Sequence, residues 1–300
     1  MISLYAFMGA VEQGAAFGLM VLGVYLTFRV LDFPDLTVDG SLPLGAAVSA
    51  VVITGGHSPI TGIFLAAGAG FLAGAVTGIL NTKFKILHLL ASILTMIALY
   101  SINIRIMGRP NMTLLGADTI IDRFIEFSGL APQYSTPLLF SMISGAALLV
   151  LIWFLKTSFG LAVLATGDNP KMITSLGVNR DMMIIFGVGL SNALVAASGA
   201  LVAQNQGAAD VNMGIGTVIA GLASLIIGET LFGKASVSRA MLSALLGSVV
   251  YRIAIALALG LRFGDFSFTP SDLNLITAIL VVVALISPQI KAGLLKRGHA

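Results

Sequence analysis

The chain is organised around Thr166-Gly167-Asp168-Asn169-Pro170-Lys171-Met172-Ile173-Thr174-Ser175-Leu176-Gly177-Val178-Asn179-Arg180, a polar stretch between two long apolar runs. Asp168 or Asn169 can cap the first free backbone N–H groups of a helix. Pro170 suits the first helical position, and Gly177 suits the left-handed conformation that ends a helix. The stretch predicts a helix of about two turns, which is too short to be stable alone in water. Another surface must therefore hold it.

An apolar stripe runs along this short helix, because Met172, Ile173 and Leu176 recur at helical spacing. The stripe predicts an apolar contact with a neighbouring surface. The alternative is an ordinary connecting turn between two membrane helices. The residues expected to make or support the contact are Gly167, Asp168, Asn169, Pro170, Lys171, Met172, Ile173, Leu176 and Gly177.

Composition identifies an integral membrane protein. Hydrophobic residues make up 57% of the 300-residue chain and charged residues 10%, with a mean hydropathy of +1.02. That leaves too little polar surface to cover a soluble globule. Apolar runs near the ~20 residues of a membrane-spanning helix recur, whereas the alternating segments of a β-barrel do not. The chain has no cysteine, which excludes disulfides and thiolate chemistry.

We predict an all-α, polytopic bundle of about eight to nine membrane segments in a single domain. Its halves are roughly 1–135 and 181–300, joined by a linker helix at 136–155 and the segment 156–180. The start of the chain lacks the basic region of a signal peptide, so we expect the first helix to be retained. The predicted segments are about 4–28, 41–54, 60–80, 87–107, 136–155, 182–203, 214–228, 238–259 and 271–287.

Alternation of these segments across the bilayer separates the basic residues into two unequal groups. The positive-inside rule assigns the larger group to the cytoplasm. We therefore expect a cytoplasmic C-terminus, a cytoplasmic short helix and an N-terminus outside. The inner group is Arg29, Lys83, Lys85, Lys156, Lys171, Arg180, Lys234, Arg239, Lys291, Lys296 and Arg297, and the outer group is Arg105, Arg109, Arg123 and Arg262.

The sizeable outer loop is 108–135, and it contains a helical pattern that Asp118 can cap and Gly129 can end. The pattern predicts an amphipathic helix on the outer surface. It is either a lid over the bundle or a docking surface for an external partner. The apolar face is Ile120, Ile121, Phe124 and Ile125, and the polar face is Asp122, Arg123 and Glu126.

Two polar breaks interrupt the pattern of clean spans, at 31–45 and at 204–216, and a short Gly/Ala-rich helix follows each. In the topology above, the first break opens from the inner side and the second from the outer side. This arrangement predicts an inverted repeat whose broken helices meet around a polar route through the membrane. The alternative is two ordinary loops. Candidate route residues are Asp35, Thr37, Asp39, Ser41, Asn205, Asp210 and Asn212, with Asp39 and Asp210 foremost.

The sequence contains no recognisable set of catalytic residues. The run from Gly228 to Lys234 matches the first seven places of a phosphate-binding loop, but Ala235 stands where the Mg²⁺-binding hydroxyl belongs. The histidines His57, His88 and His299 lack metal-ligand spacing. We therefore predict no enzyme activity, no metal and no cofactor in this chain.

Two ionisable residues fall inside predicted spans, Arg252 and Glu12. A charge at the bilayer centre costs ~2.5–3.5 kcal/mol on insertion scales. Arg252 should therefore face the bundle or extend outward, and the same holds for Glu12. A structural pairing of such groups and a proton relay are the two alternatives, and the relay usually needs several ionisable residues in line.

Four blocks, 27–35, 35–46, 158–178 and 221–229, follow one another along nearly the whole chain. Together they resemble the permeases of bacterial ABC importers in the branched-chain amino acid and ribose group. The likeness is greatest to the subgroup associated with tryptophan, tyrosine and related small substrates. Sugar permeases share the Asp-Leu-(Ser/Thr)-Val core but more often run Val-Gly directly, whereas Asp39 precedes Gly40 here, and this departure counts against a sugar.

The resemblance implies a type II ABC importer-like fold in a bacterial cell membrane. It also implies a permease dimer with a route at the dimer interface, a cytoplasmic ATPase bound to each copy, and a substrate-binding protein docking outside. The segment 156–180 would be the cytoplasmic coupling segment, whose short helix sits in a groove of the ATPase. ATP and Mg²⁺ would then belong to the ATPase chain.

The function predicted is therefore the translocation of a small solute, an amino acid of aromatic type such as tryptophan or tyrosine, in an ATP-driven importer. The alternatives are a sugar or nucleoside permease and a secondary transporter driven by an ion gradient, which an inverted repeat alone supports equally. An intramembrane enzyme would need converging acid, base or metal groups, and the sequence has no such pattern.

Overall fold

The computed structural model describes residues 4–260, 262–263, 266–267, 275, 277–279 and 282. These residues form a helical bundle with two short antiparallel strand pairs. The helices are α1 (Leu4–Tyr25), α2 (Val38–Thr54), α3 (Pro59–Thr82), α4 (His88–Met107), α5 (Ile120–Ser128), α6 (Pro132–Leu155), α7 (Ser158–Asp168), α8 (Pro170–Ser175), α9 (Arg180–Gln206), α10 (Thr217–Phe232) and α11 (Val237–Gly260). The strands are β1 (Asn111–Thr113), β2 (Ala208–Asp210), β3 (Arg262–Phe263) and β4 (Phe266–Ser267).

Six helices in the described part of the chain are long and apolar enough to cross a membrane, namely α1 with its extension to Val30, α3, α4, α6, α9 and α11. The apolar helices α2 and α10 have 17 and 16 residues and are shorter than a full span. The first eight predicted segments thus correspond to helices. The predicted ninth, 271–287, lies outside the described residues except at 275, 277–279 and 282.

Helix α9 lies at the centre of the bundle, packed against α1, α2 and α3. Small residues permit this close packing, because a side chain on Gly45 would overlap the Ala196 carbonyl and one on Gly199 would overlap the Leu42 carbonyl. Serine hydroxyls add hydrogen bonds between helices. For example, Ser191 donates to the Gly23 carbonyl oxygen over 2.7 Å.

The first break begins with a π-helical turn, Leu26–Val30, and continues in irregular backbone to residue 37. Helix α2 then starts at Val38, three residues earlier than predicted, and it runs through Pro43. In the second break, Gly207 ends α9 with a φ of 67°, and α10 starts at Thr217 rather than 214. The start of α2 was predicted too late because Gly40 and Pro43, which usually signal loops, lie inside the helix. The start of α10 was predicted too early because Gly216 has a non-helical φ of 78° and the helix begins only after it.

The strands β1 and β2 join the loop after α4 to the second break, with Asn111 opposite Asp210. Three-residue strands carry too little pattern to be predicted. Nearby, the predicted amphipathic helix is present as α5, and Ile120, Ile121 and Phe124 pack against the core. Its place on the outer side of the membrane stays a prediction. The cap prediction was wrong. Thr119 rather than Asp118 caps α5, because the Thr119 and Asp122 side chains form a reciprocal capping box.

Candidate functional site

The short helix at the middle of the chain is present as α8, with the signals that the sequence contains. Asn169 caps it, since the Asn169 side-chain oxygen accepts a 3.0 Å hydrogen bond from the Met172 N–H. Pro170 occupies the first helical position, and Gly177 follows the helix with a φ of 81°. A second helix that the sequence did not predict, α7, precedes it and ends at Asp168.

The apolar stripe of α8 is divided between two surroundings. Ile173 is buried against the protein's own bundle, whereas Met172 is 46% and Leu176 is 69% exposed. Lys171 is also exposed. Ile173 therefore holds the helix on the bundle, and Met172 and Leu176 remain available to a partner. We refer to this end of the molecule as the α8 end and to the opposite end as the α5 end.

Gly167 joins the α7–α8 segment to the first break. A side chain at this position would overlap the carbonyl oxygen of Val30 and lie against Leu31. Helix α7 thus packs backbone to backbone on the point where the π-helical turn ends. The α7–α8 segment therefore lies directly against the residues that lead into α2.

An ion pair at the α8 end links the π-helical turn to the end of α10. Arg29 contacts Glu229 in a two-pronged geometry, with Nε–Oε1 at 3.0 Å and Nη2–Oε2 at 2.5 Å. The Glu229 side chain is nearly buried and the Arg29 side chain is partly exposed. Paired donors in a fixed fork give this contact geometric specificity. It connects residues from the two predicted halves of the chain.

Asp35 lies in the first break and is fully buried. Its carboxylate accepts hydrogen bonds from the Thr37 N–H at 2.8 Å and from the Asn192 side-chain amide at 2.7 Å. Asn192 is near the midpoint of α9, ~18–21 Å from either end at 1.5 Å per residue. The start of α2 is therefore level with the middle of a helix long enough to span a membrane.

The polar network around Asp35 extends to four helices. The Ser41 hydroxyl donates to the Asn192 side-chain oxygen over 2.7 Å. Hydroxyl contacts of 2.8 Å and 2.9 Å connect Thr37 to Thr77 of α3 and Thr77 to Thr95 of α4. These contacts pair polar side chains with one another inside the protein, as buried polar groups require.

Asp39, in the first turn of α2, binds the first turn of α10. Its carboxylate accepts hydrogen bonds from the Gly216 N–H at 3.1 Å, the Thr217 hydroxyl at 2.9 Å and the Val218 N–H at 2.9 Å. A carboxylate at this position satisfies the free N–H groups of α10 and interacts favourably with the positive end of its dipole. The N-terminal ends of the two short helices therefore meet at Asp39, and we call this place the junction.

Pro43 leaves the backbone carbonyl of Asp39 without its usual helical hydrogen bond. In a regular helix the N–H of residue 43 would bond to the Asp39 carbonyl, and proline has no N–H. The backbone of Gly214 approaches the free Asp39 carbonyl so closely that a side chain there would overlap it. The backbones of the two breaks are therefore in close contact at this point.

A cavity of about 350 Å³ lies beside the junction, between α2, α4 and the turn before α10. Two predicted route residues, Asp39 and Asn212, line it. The full lining is Asp39, Gly40, Pro43, Met96, Ile97, Tyr100, Ser101, Asn103, Val211, Asn212 and Ile215.

The remaining route candidates lie apart from this cavity. Asp35, Thr37 and Ser41 belong to the buried network. Asp210 lies at the α5 end, where its carboxylate accepts from the Asn111 side chain at 3.0 Å and from the Asn212 N–H at 2.7 Å. Asn205 interacts with the Glu12 side chain.

Arg252 faces the bundle, with its guanidinium carbon 3.9 Å from the centre of the Phe17 ring. A cation–π contact of this kind stabilises a desolvated charge. Among the described residues, the ion pairs join Arg29 to Glu229 and Lys83 to Asp181, so Glu12 is not the partner of Arg252. Within the same residues, no group of three or more histidine and carboxylate side chains could hold a metal ion.

Six site residues were not predicted from the sequence. Asn103, Asn192, Thr77 and Thr95 are polar residues inside apolar runs, which is a usable signal because buried polar groups need partners. Arg29 and Glu229 lie 200 positions apart, and only the fold pairs them. Neither residue carries a local pattern that names the other.

Comparison with known proteins gives one family. The model of the family described as branched-chain amino acid transport system / permease component matches residues 7–286. The tyrosine transport system permease protein of Clostridioides difficile (strain R20291) is 40% identical over 284 residues, which are 95% of this chain and 92% of that protein. The galactofuranose transporter permease protein of Escherichia coli (strain K12) is 27% identical over 195 residues, 63% of this chain and 53% of that protein.

A similar fold occurs in an inward-facing conformation of a metal-chelate type ABC transporter. The TM-score is 0.54 at 17% sequence identity, over 96% of this chain and 85% of that chain. At this identity the likeness concerns the fold alone. The long helices and the short polar helix at one end of the bundle are thus compatible with a transporter fold.

Proposed function

The chain belongs to the branched-chain amino acid transport system permease family, and from that premise we propose that it moves an amino acid of aromatic type through the membrane. In this proposal it is the permease subunit of an ATP-driven importer. An ATPase chain binds ATP and Mg²⁺, a substrate-binding protein delivers the solute, and this chain makes or breaks no covalent bond in it.

One contact supports the proposed coupling between the ATPase and the short helices of the membrane bundle. Gly167, at the end of α7, packs on the backbone of Val30 and Leu31, and these residues lead within a few positions to Asp35 and Asp39. A partner that grips Met172 and Leu176 would therefore move the start of α2. Because Asp39 holds the first turn of α10, displacement of α2 would also pull on the second short helix.

The substrate class is supported by sequence similarity. A permease of a tyrosine transport system shares 40% of its residues over nearly the whole chain. The galactofuranose permease is less similar and matches over a shorter length. These relations favour an aromatic amino acid over a sugar.

The proposed arrangement in the cell follows from the positive-inside rule. The α8 end faces the cytoplasm and contacts the ATPase, and the C-terminus lies on that side. The N-terminus and the α5 end face outward, towards the substrate-binding protein. The bacterial cell membrane is the proposed location, and two copies of the permease form the working unit with the solute route between them.

Reconstitution tests this proposal. Proteoliposomes containing the permease, its ATPase and its binding protein should accumulate labelled tyrosine only when ATP is enclosed with the ATPase. Excess unlabelled tryptophan or tyrosine should reduce the signal, and excess galactose should not. Competition by galactose alone would instead favour the sugar alternative.

A secondary transporter is the second candidate, because broken helices that meet midway also occur in ion-coupled carriers. Its signature would be uptake by this chain alone under a sodium or proton gradient, without ATP or ATPase. That result would overturn the proposal. The free apolar residues of α8 favour the ATP-driven candidate, since an independent carrier needs no partner there.

A further inference from the structure

The cavity beside Asp39 has the dimensions of a small-solute site. Its volume of about 350 Å³ falls within the roughly 300–1,000 Å³ of ligand pockets. One wall is α4, and the others come from α2 and from the turn before α10. A group bound here would touch both sides of the junction.

Asn103 lines this cavity with an unsatisfied acceptor. The side chain is fully buried, and its amide nitrogen donates to the Gly40 carbonyl over 3.2 Å. Its amide oxygen Oδ1 has no hydrogen-bond partner among the described residues. Buried polar atoms are nearly always paired, so a donor from a water molecule or a bound solute would satisfy this oxygen.

The charge of the lining determines which donor fits. Asp39 is its ionisable acid, and the residues that line the cavity include no lysine, arginine or histidine. A carboxylate offers about four acceptor sites, and Asp39 uses three on the start of α10. One site therefore remains. A positively charged donor is attracted to this wall, and an anion is repelled.

The opposite part of the lining is apolar and aromatic. Met96 is flexible and polarizable, so it adapts to irregular shapes. Tyr100 is 49% exposed and offers a ring face against which another ring can pack. Ile97 completes this part of the wall. It suits the side chain of a hydrophobic or aromatic solute.

We propose that this cavity binds the solute during transport and recognises a primary ammonium group. The ammonium lies at Asn103 Oδ1 and Asp39, and the apolar or aromatic group lies against Met96, Ile97 and Tyr100. This inference rests on the proposed function and deepens it, because it names the chemical class of the solute and the residues that select it.

Direct binding to the purified permease–ATPase complex, without the binding protein, tests the inference by titration calorimetry. The probes are tyrosine, tyramine, which keeps the ammonium but lacks the carboxylate, and 3-(4-hydroxyphenyl)propanoate, which lacks the ammonium. Tyrosine and tyramine should bind, and the propanoate should bind at least tenfold more weakly. Equal binding of the propanoate, or no binding of tyramine, would overturn the inference.

Variants separate recognition from structural support. Asn103→Ala removes the acceptor and should weaken tyramine binding at least tenfold. Asn103→Asp keeps an acceptor while losing the donor to Gly40, so it should retain binding. A merely structural role would reduce binding equally in both variants and would contradict the inference.

A second pair of variants keeps the test decisive if the Asn103 variants fail to fold. Tyr100→Ala should weaken tyramine binding, whereas Ile102→Ala should not. Ile102 is on the same helix and 44% exposed, but it lines a different cavity. Equal effects would contradict the inference.

ATP-driven uptake, measured in parallel, separates this inference from the proposed function. Unchanged uptake in both Asn103→Ala and Tyr100→Ala would contradict the solute site while leaving the importer intact. Absence of ATP-driven tyrosine uptake by the unaltered proteins would instead contradict the proposed function itself.

Discussion

The carboxylate of Asp39 accepts a 2.9 Å hydrogen bond from the backbone N–H of Val218, so the first turn of one short helix caps the first turn of another. The two residues are 179 positions apart. The contact joins the two polar breaks of the chain into one structural unit. Any movement that separates α2 from α10 must break it.

Asp39→Ala should impair solute uptake more than it impairs assembly with the ATPase. The substitution leaves the N–H groups at the start of α10 unsatisfied and removes a charge from the positive end of its dipole, a loss of ~1–3 kcal/mol in folding free energy. Thermal unfolding in detergent, ATPase co-purification and uptake measure the three quantities. Asp210→Ala is the control and should lose less uptake, because Asp210 lies at the α5 end. Normal uptake by Asp39→Ala would reduce Asp39 to a structural polar residue.

Replacing Met172 and Leu176 together by aspartate should detach the ATPase while the permease remains folded. The aspartates would place charges in an apolar contact with the partner, where unpaired charge is costly, yet both sites are open to solvent in the free chain. Co-purification measures the loss. Phe84→Asp is a matched control, because Phe84 and Leu176 are both 69% exposed and Phe84 lies outside α8. Retained ATPase and persistent uptake in the double variant would mean that the contact lies elsewhere.

Gly167→Ala should uncouple ATP hydrolysis from uptake. The added methyl group would overlap the Val30 carbonyl, so α7 must move away from the first break. The ratio of solute transported to ATP hydrolysed should fall, while the ATPase remains bound. Gly145→Ala in α6 provides the comparison, because a methyl group there meets no atom within 4 Å. Equal ratios for the two variants would show that Gly167 transmits no motion.

Exchanging the charges of Arg29 and Glu229 at the same time should preserve their ion pair and its role in uptake. Arg29→Glu or Glu229→Arg alone places like charges together and should reduce uptake, whereas the double exchange restores an attractive pair. Partly exposed pairs contribute ~0.2–1 kcal/mol, so the effect should be clearer in uptake than in thermal stability. A double exchange that is no better than either single variant would indicate that the pair itself has no role.

The local elements were predictable because their signals are local. Asn169, Pro170 and Gly177 mark α8, and the helical spacing of apolar residues marks the face of α5 that packs against the bundle. Eight of the predicted membrane segments correspond to helices for the same reason. The number of membrane crossings, the ninth segment, the inverted repeat and the side of the membrane on which each end lies stay predictions.

Contacts between distant residues could not be predicted in the same way. Asp39 was correctly selected as a carboxylate in a break, but only the fold shows that it caps α10. Asp210 has the same chemistry in the matching break, yet β1 holds it at the α5 end. Ile173 is buried while Met172 and Leu176 are exposed, because burial depends on how α8 packs against α7 and α9. A helical pattern alone cannot say which of its apolar residues meets which surface.

The accessibility of a thiol at position 176 tests the central claim most directly. The chain has no cysteine, so Leu176→Cys creates a single reactive site, and Leu115→Cys at the α5 end serves as its control. A membrane-impermeant maleimide should label Leu176→Cys only from the cytoplasmic side, and the ATPase should slow that labelling but not the labelling of Leu115→Cys. Labelling of Leu176→Cys from outside, or at a rate that the ATPase does not change, would contradict the claim that a cytoplasmic ATPase grips α8.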